Sequence, residues 1–230
     1  MKTIGLIGGM SWESTATYYR LINEQVKSAL GGFHSAKILL YSVDFSEIEK
    51  FQSSEDWQSG AEVLTDIALK LESAGADFIL ICTNTMHKVA DDVQVKITAP
   101  LLHIAEAAAS ELIKNQVKKV ALLGTKYTMK QTFYSDKIEA AGIEVIIPDD
   151  EDVELINHVI YNELCLGVIS EESRQAFGRI IDKMAAAGAQ GVVLGCTEIG
   201  LLISPEDAVI PVFDTTQIHA AAAVKMAVGK

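Results

Sequence analysis

Two residues far apart in the chain, Thr83 and Cys196, carry side chains that can exchange a proton with a substrate. Each closely follows a short apolar run, and each is followed by further polar residues. A cysteine suits proton transfer because nearby N–H groups or a helix N-terminus bring its pKa toward neutrality. A threonine hydroxyl is a far weaker base at neutral pH, so we expect proton removal by Cys196 to be favoured over removal by Thr83.

An internal repeat places these two residues at equivalent positions. Residues 75–84 align without a gap with residues 188–197, and each segment runs from a helix-ending glycine through an apolar strand into small polar residues. Residues 5–9 align in the same way with residues 121–125. Two such matches, in the same order and at nearly the same spacing, predict two similar lobes.

The repeat also distinguishes the cysteines from one another. It aligns Cys196 with Thr83, and Cys82 with Gly195. Because successive side chains of a strand point to opposite faces, Cys82 is expected to face away from the site and to lie in the core. Cys165 is likewise expected to be a core residue.

Short strands rich in β-branched residues alternate with amphipathic helices, which predicts parallel sheets with helices on both faces. Ser170 is expected to begin one helix and Gly188 to end it, and Gly75 is expected to end another. The predicted fold class is α/β, with two similar lobes, each a mostly parallel sheet flanked by helices, related by a pseudo-twofold axis with the active site between them. The predicted strands are 3–7, 38–43, 78–81, 120–123, 143–147 and 192–194.

The residues that follow the predicted strands are expected to bind a substrate, since ligands of open parallel sheets bind beyond the carboxyl ends of the strands. Their backbone and side-chain donors suit a carboxylate. For Glu198 we expect the side chain to cap the following turn while only its N–H acts on the site; the alternative, that its carboxylate tunes the Cys196 thiol, stays open. The expected substrate-binding residues are Gly9, Met10, Ser11, Asn84, Thr85, Thr125, Thr197 and Glu198.

Two opposed proton-transfer groups are what the inversion of a tetrahedral carbon requires. One group removes the α-proton and the other supplies a proton from the opposite face, while the carbanion spreads its charge onto the substrate carboxylate. The sequence therefore favours an amino-acid racemase with Thr83 and Cys196 as its catalytic residues.

Several strand-end segments resemble the signature segments of the aspartate/glutamate racemase family. They are Gly-Gly-Met-Ser-Trp-Glu-Ser at 8–14, Thr-Asn-Thr-Met-His at 83–87, Gly-Cys-Thr-Glu-Ile at 195–199, and the segments 123–128 and 213–215. The similarity covers nearly the whole chain. It implies racemisation without pyridoxal phosphate or any other cofactor, and it implies a homodimer.

The resemblance also implies how the chain divides into lobes. A C-terminal helix over roughly 216–228 is expected to return and pack on the first lobe. The first lobe is then residues 1–100 plus 213–230, and the second is residues 101–212.

The sequence departs from the family pattern at two places. The position that matches the family's first cysteine is Thr83, as in subgroups that carry a Thr/Cys pair. Members that prefer aspartate hold its distal carboxylate with basic residues, whereas the matching regions here, 42–45 and 163–167, contain no Arg or Lys. Gln52 is a neutral replacement. The expected substrate is aspartate, glutamate or a broader set of L-amino acids, and a neutral or polar side chain fits better than strict aspartate specificity.

Two other functions stay open. A decarboxylase or isomerase of small diacids would keep the second cysteine and dispense with the first. A non-catalytic amino-acid-binding protein would keep the site and lose part of the acid–base pair. Retention of Asn84 and Thr85 beside Thr83 favours the racemase over the decarboxylase or isomerase.

Composition excludes several other classes. The net charge of −12 at pH 7 disfavours binding to nucleic acid or to an anionic membrane. No apolar run approaches the roughly 20 residues that cross a bilayer, and the run at 4–7 is too short for a signal peptide, so we expect a cytoplasmic protein with free thiols. No two histidines have metal-ligand spacing, and Gly8-Gly9 lacks the spacing of a dinucleotide turn, so we expect no metal and no cofactor.

Overall fold

The computed structural model describes residues 1–229 and divides them into two compact units. The first unit comprises residues 1–104 together with the chain from His219 onward, and the second comprises residues 105–218. The predicted first lobe ends at residue 230, which lies outside the described residues.

Strands and helices alternate along the chain, and short 3₁₀ segments interrupt the alternation. The strands are β1 (Thr3–Gly8), β2 (Lys37–Ser42), β3 (Phe78–Ile81), β4 (Lys119–Gly124), β5 (Glu144–Ile146), β6 (Val192–Gly195) and β7 (Val212–Asp214). The helices are α1 (Trp12–Leu30), α2 (Phe45–Ser53), α3 (Trp57–Ser73), α4 (Ala90–Gln94), α5 (Ile104–Lys114), α6 (Lys126–Lys130), α7 (Thr132–Glu139), α8 (Asp150–Asn162), α9 (Glu171–Ala186), α10 (Ile199–Leu202) and α11 (Thr215–Val228). The 3₁₀ segments are Thr85–Val89, Leu164–Leu166 and Pro205–Asp207.

The first unit is built on a parallel sheet of order β2-β1-β3. One face of this sheet packs on α3, and the other packs on α1 and α11. Ala220 and Ala223 of α11 are buried in the same cluster as Leu6 of β1 and Leu80 of β3. The C-terminal helix that the family resemblance implied is therefore present and covers the first sheet.

The second unit is built on a parallel sheet of order β5-β4-β6-β7. Helices α8 and α9 supply much of its core, together with the side chains of β4 and β6. Gly124 of β4 pairs with Gly195 of β6, and a Cβ added to Gly124 would lie 2.9 Å from the Gly195 carbonyl oxygen. The two strands thus reach the same edge of the sheet at a close backbone contact that favours glycine.

The repeat seen in the sequence is also a repeat in structure. Helix α3 is followed by Gly75, with φ +98°, and helix α9 is followed by Gly188, with φ +93°. After Gly75, the N–H of Ala76 donates to the Leu71 carbonyl over 3.0 Å. After Gly188, the N–H of Ala189 donates to the Met184 carbonyl over 3.0 Å. A left-handed glycine that closes the helix in this way turns the chain directly into the next buried strand.

Most of the predicted elements are confirmed. The six predicted strands correspond to β1 through β6, with each boundary shifted by at most one residue. Ser170 begins α9, where its hydroxyl accepts the N–H of Ser173 over 3.0 Å. Strand β7 was not predicted, because its three residues contain only two apolar side chains and directly follow Pro211.

The fold is α/β, with two parallel sheets flanked by helices, as expected. Among residues 1–229 there is no helix with the length and apolar character needed to cross a membrane.

Candidate active site

In the first unit, the loops that follow β1 and β3 lie side by side. The N–H of Cys82 still donates to β1, over 2.9 Å, and the Cys82 carbonyl accepts the hydroxyl of Ser14 over 3.2 Å. Ser11 caps α1 by accepting the N–H of Ser14 over 3.2 Å. The predicted residues 9–11 and 83–85 are therefore gathered at one edge of the first sheet.

Gly9 permits the close turn after β1. Its φ is +92°, and a Cβ at this position would lie 2.3 Å from the carbonyl oxygen of Val43. The Gly9 N–H donates to the Thr15 hydroxyl over 2.8 Å. Because both space and φ exclude a side chain here, the backbone is the part of Gly9 that can face a ligand.

Thr83 is half-buried at the end of β3, and the polar residues after it are more deeply buried. Asn84 is 2% exposed and Thr85 is 5% exposed. Cys82 is fully buried in the core between the sheet and α1, and burial raises the pKa of its thiol. The prediction that Cys82 is a core residue is therefore confirmed.

Two of the predicted binding residues have their side chains in the interior of the first unit. Met10 is 3% exposed and packs in the core beside α3. Gln52 is 3% exposed and lies with Ile48 on the buried face of α2. For Met10, this leaves the backbone rather than the side chain as the group able to meet a substrate.

In the second unit, Thr125 and Cys196 follow the paired glycines of β4 and β6. Thr125 caps α6, with its hydroxyl 3.3 Å from the N–H of Thr128 and 3.1 Å from the Thr128 hydroxyl. Thr197 is half-buried beside Cys196. The four predicted residues of this unit, Thr125, Cys196, Thr197 and Glu198, thus lie at one edge of its sheet.

Glu198 contacts the Cys196 thiol directly. The Sγ of Cys196 donates to Oε2 of Glu198 over 3.1 Å, and both residues are buried, at 8% and 6% exposure. Helix α10, which begins next, has no side-chain cap from Glu198. The expectation that this side chain caps the turn is therefore wrong, because the carboxylate is turned back onto the sulfur; the alternative left open in the sequence is the observed one.

The pKa of the Cys196 thiol is raised well above its ordinary value, first by burial and then by the nearby charge of Glu198. The half-buried Cys165 raises it further, and only a backbone hydrogen bond from Glu198 acts in the opposite direction. Nearby N–H groups therefore do not bring the pKa of Cys196 toward neutrality, as they can for other cysteines. Cys196 is a thiol at neutral pH, with a carboxylate placed to accept its proton.

His87, four residues after Thr83, contacts the backbone of Thr83. Its Nδ1 lies 2.7 Å from the Thr83 carbonyl oxygen. Its position four residues after Thr83 was visible in the sequence, but the contact depends on the 3₁₀ turn between them, which no periodicity indicated.

A cavity of about 400 Å³ lies in the first unit, beyond the end of β2. Its wall includes four carboxylate side chains, those of Asp44, Glu47, Glu62 and Asp66. So many negative charges disfavour an anionic ligand in this cavity. Among the described residues, no group of three or more His, Cys, Asp or Glu side chains is arranged to hold a metal ion.

Known proteins resemble this chain over almost all of its length. RacX of Bacillus subtilis, a broad specificity amino-acid racemase, is 24% identical over 93% of this chain and 92% of its own. The crystal structure of an Asp/Glu racemase candidate from Yersinia pestis is 58% identical, with a TM-score of 0.94 over 99% of this chain and 100% of that one. PH1733 of Pyrococcus horikoshii, an aspartate racemase homologue, is 38% identical, with a TM-score of 0.87 over the same shares of the two chains.

The family comparison agrees with the site geometry. Residues 7–223 match the Asp/Glu/Hydantoin racemase family. This range includes the carboxyl ends of all the strands described above. The paired strand-end loops, the thiol of Cys196 and the extent of this match lead to one conclusion: the chain belongs to the Asp/Glu/Hydantoin racemase family.

Proposed function

We propose that this racemase acts on amino acids without a cofactor, and that Thr83 and Cys196 transfer protons at opposite faces of the α-carbon. The observation that carries the proposal is the equivalence of the two residues. Each lies just beyond the carboxyl end of the strand that pairs with the first strand of its own unit, β3 beside β1 and β6 beside β4. In each unit, the loop after that first strand leads into a helix. Ser11 caps the helix in the first unit, and Thr125 caps the one in the second.

The reaction begins at the Cys196–Glu198 pair. Glu198 takes the thiol proton, and the thiolate then removes the α-proton while the electron pair of the C–H bond stays on carbon and spreads into the substrate carboxylate. The Thr83 hydroxyl delivers a proton to the opposite face and regains one from solvent, while Glu198 releases to solvent the proton that it took from Cys196. In the reverse direction the hydroxyl must act as the base, which is the harder step, so the two enantiomers react at unequal rates.

The substrate carboxylate is held by backbone N–H groups at the strand ends. The N-terminus of α1, a helix of 19 residues, contributes a positive partial charge. The donors after β3 and β6 are those of Asn84, Thr85 and Thr197. Such fixed donors stabilise the charge that develops on the carboxylate when the α-proton leaves.

A broad set of amino acids, including neutral ones, is the proposed substrate class. In residues 163–167, where the family's aspartate-specific members carry a cation, the exposed side chain is that of Leu166, at 71%. Asp44, in the other matching region, caps α2 by accepting the N–H of Ser46 over 3.0 Å. The Bacillus subtilis relative described as broad in specificity supports the same choice.

A homodimer is the proposed assembly, formed through the edge of the first sheet. Strand β2 is the outer strand of that sheet, and Leu40 on it is 46% exposed. Tyr19 on α1 is 54% exposed and Phe33, in the loop between α1 and β2, is fully exposed. Large apolar side chains at an open sheet edge suit burial against a second copy of the chain. The proposed location is the cytoplasm, where the three free cysteines stay reduced.

Incubation with a panel of L- and D-amino acids in heavy water, followed by NMR of the α-proton, tests the proposal. We expect exchange together with inversion for at least one amino acid. Exchange without any inversion would indicate that only one of the two residues transfers protons. Loss of carbon dioxide from a diacid would favour the decarboxylase, and binding without any exchange would leave only the binding-protein alternative.

A further inference from the structure

The ring of His87 contacts the backbone of Thr83, and the hydrogen bonds of its two nitrogens define its tautomer. Its Nδ1 lies 2.7 Å from the Thr83 carbonyl oxygen, and its Nε2 lies 3.2 Å from the backbone nitrogen of Ile104. An amide N–H can only donate, so Nε2 is the acceptor and the ring hydrogen is on Nδ1. His87 is therefore a neutral ring that donates to Thr83 and accepts the N–H of Ile104, the first residue of α5.

A second buried histidine is fixed in the opposite tautomer. Nε2 of His219 lies 2.8 Å from the carbonyl oxygen of Leu102, which can only accept, so the hydrogen of His219 is on Nε2. Its Nδ1 then accepts the hydroxyl of Tyr18, at 2.9 Å. The two rings thus connect α1, α11 and residues 102–104 to the loop that carries Thr83.

A third histidine completes the cluster. The ring centroid of His87 lies 4.6 Å from that of His103 and 5.7 Å from that of His219. Both pairs are arranged edge to face. All three are buried, at 2%, 5% and 0% exposure for His87, His103 and His219. Burial lowers the pKa of both His87 and His219, in agreement with the neutral tautomers that their hydrogen bonds require.

We propose that His87 is a positioning residue that fixes the Thr83 hydroxyl for proton transfer, and that the Tyr18–His219 pair supports it. This inference rests on the proposed function, because only a racemase uses Thr83 in half of its reaction. It differs from a general role in folding, because it requires that loss of the His87–Thr83 bond affect one enantiomer more than the other. A catalytic group displaced by about 1 Å typically loses about 100-fold in rate.

Two substitutions separate the two bonds of the ring. The amide group of asparagine reaches the place of Nδ1, so His87→Asn keeps a donor for the Thr83 carbonyl and loses the bond to Ile104. The amide of glutamine reaches the place of Nε2, so His87→Gln keeps an acceptor for Ile104 and loses the bond to Thr83. His34→Gln, at an exposed position of the same unit, is the matched control.

The measurement is deuterium exchange at the α-carbon, started separately from each enantiomer. It uses the full chain and the amino acid of the panel that reacts fastest. Thr83→Ala and Cys196→Ala first identify which enantiomer depends on which residue. We expect His87→Gln to lower kcat for the Thr83-dependent enantiomer by about 10- to 100-fold with little change in KM, and to retain exchange of the Cys196-dependent enantiomer. His87→Asn is expected to recover most of the lost rate.

Equal loss for both enantiomers, or no loss for either, would overturn the inference while leaving the racemase proposal intact. No exchange by the wild-type protein with any amino acid would overturn both. If His87→Gln does not fold, Tyr18→Phe gives the answer, since it removes only the hydroxyl that supports His219. A loss restricted to the Thr83-dependent enantiomer is then expected, and an unchanged ratio between the enantiomers contradicts the inference.

Discussion

The Cys196 thiol donates a hydrogen bond to the Glu198 carboxylate over 3.1 Å, between residues only two positions apart. This short connection changes the chemistry expected of the cysteine. A free thiolate would be ready to remove a proton, but it would be hard to keep ionised in a buried site beside a negative charge. A thiol with its own base supplies the thiolate only when it is needed, and it can also act as an acid without a prior proton uptake.

Glu198→Gln tests this pair. Removal of the carboxylate charge is expected to lower kcat by about 100-fold, because the thiol loses its base. The same change is expected to lower the pKa of Cys196, since the Glu198 charge raises it. Alkylation of Cys196 by iodoacetamide, followed by mass spectrometry at several pH values, should therefore become faster at a given pH. An unchanged or upward-shifted alkylation profile would contradict this account.

Cys196→Ala is expected to abolish inversion, with a loss of at least about 1,000-fold, because no other group in the second unit replaces the thiol. Cys82→Ala is the matched control. Its sulfur lies in the core, so it is expected to lose on the order of 1 kcal/mol of unfolding free energy while keeping its activity. Racemase assays and urea unfolding of both variants provide the comparison, and full activity in Cys196→Ala would refute the assignment.

Thr83→Cys is expected to make the two directions more nearly equal. A thiol is a much stronger acid than a hydroxyl, so its conjugate base is available where that of threonine is not. The rate with the Thr83-dependent enantiomer should rise at least about 10-fold, measured as initial rates from each pure enantiomer. Thr83→Ser keeps a hydroxyl and serves as the control. A serine variant that gains as much as the cysteine variant would exclude acidity as the cause.

The buried histidines predict how stability depends on pH. Burial lowers the pKa of His219 to about 3, and that of His87 also falls well below its ordinary value. The unfolded chain binds these protons near pH 6.5, whereas the folded chain does not. Stability is therefore full above about pH 6.5 and declines toward pH 3, by about 1.4 kcal/mol per pH unit for each such histidine.

Urea unfolding between pH 7 and pH 4 measures this slope. His219→Gln is expected to remove one histidine's share of it, at the cost of a lower stability at pH 7 from the lost hydrogen bond to Tyr18. His34→Gln removes an exposed histidine for comparison. An equal change of slope in the two variants would refute the role given to the buried cluster.

The proposed dimer is tested by light scattering after size-exclusion chromatography. Leu40→Lys places a charge on the exposed edge strand β2 and is expected to give a monomer. Val209→Lys, at a position 71% exposed in the second unit, is the control and is expected to leave the dimer unchanged. A wild-type protein that stays monomeric at micromolar concentration would contradict the proposal.

The parts of this fold that depend on local pattern could be predicted. Strands β1 to β6 are short apolar runs, and Gly75 and Gly188 mark helix ends through a backbone conformation that other residues rarely adopt. The division of roles between Cys82 and Cys196 followed from the alternation of side chains along a strand. These inferences need only a few neighbouring residues.

The contacts between distant residues, and the direction of one side chain, could not be predicted in this way. Tyr18 and His219 are 201 residues apart in sequence, and only the packing of α11 beside α1 brings them together. For Glu198 the sequence left two orientations open, and the choice between them depends on how the turn after β6 is formed. Neither relationship leaves a periodic signal in a single sequence.

The order of the chain has a consequence for its synthesis. The second unit is continuous, whereas the first is completed by α11, which covers Leu6 and Leu80. A ribosome therefore makes the first sheet before the second unit and supplies α11, which covers one face of that sheet, after it. Although domains generally fold in the order in which they are made, here the second unit can be complete while the sheet made first still has one uncovered apolar face. Emergence of α11 from the ribosome, after the second unit, is the step that closes the first unit.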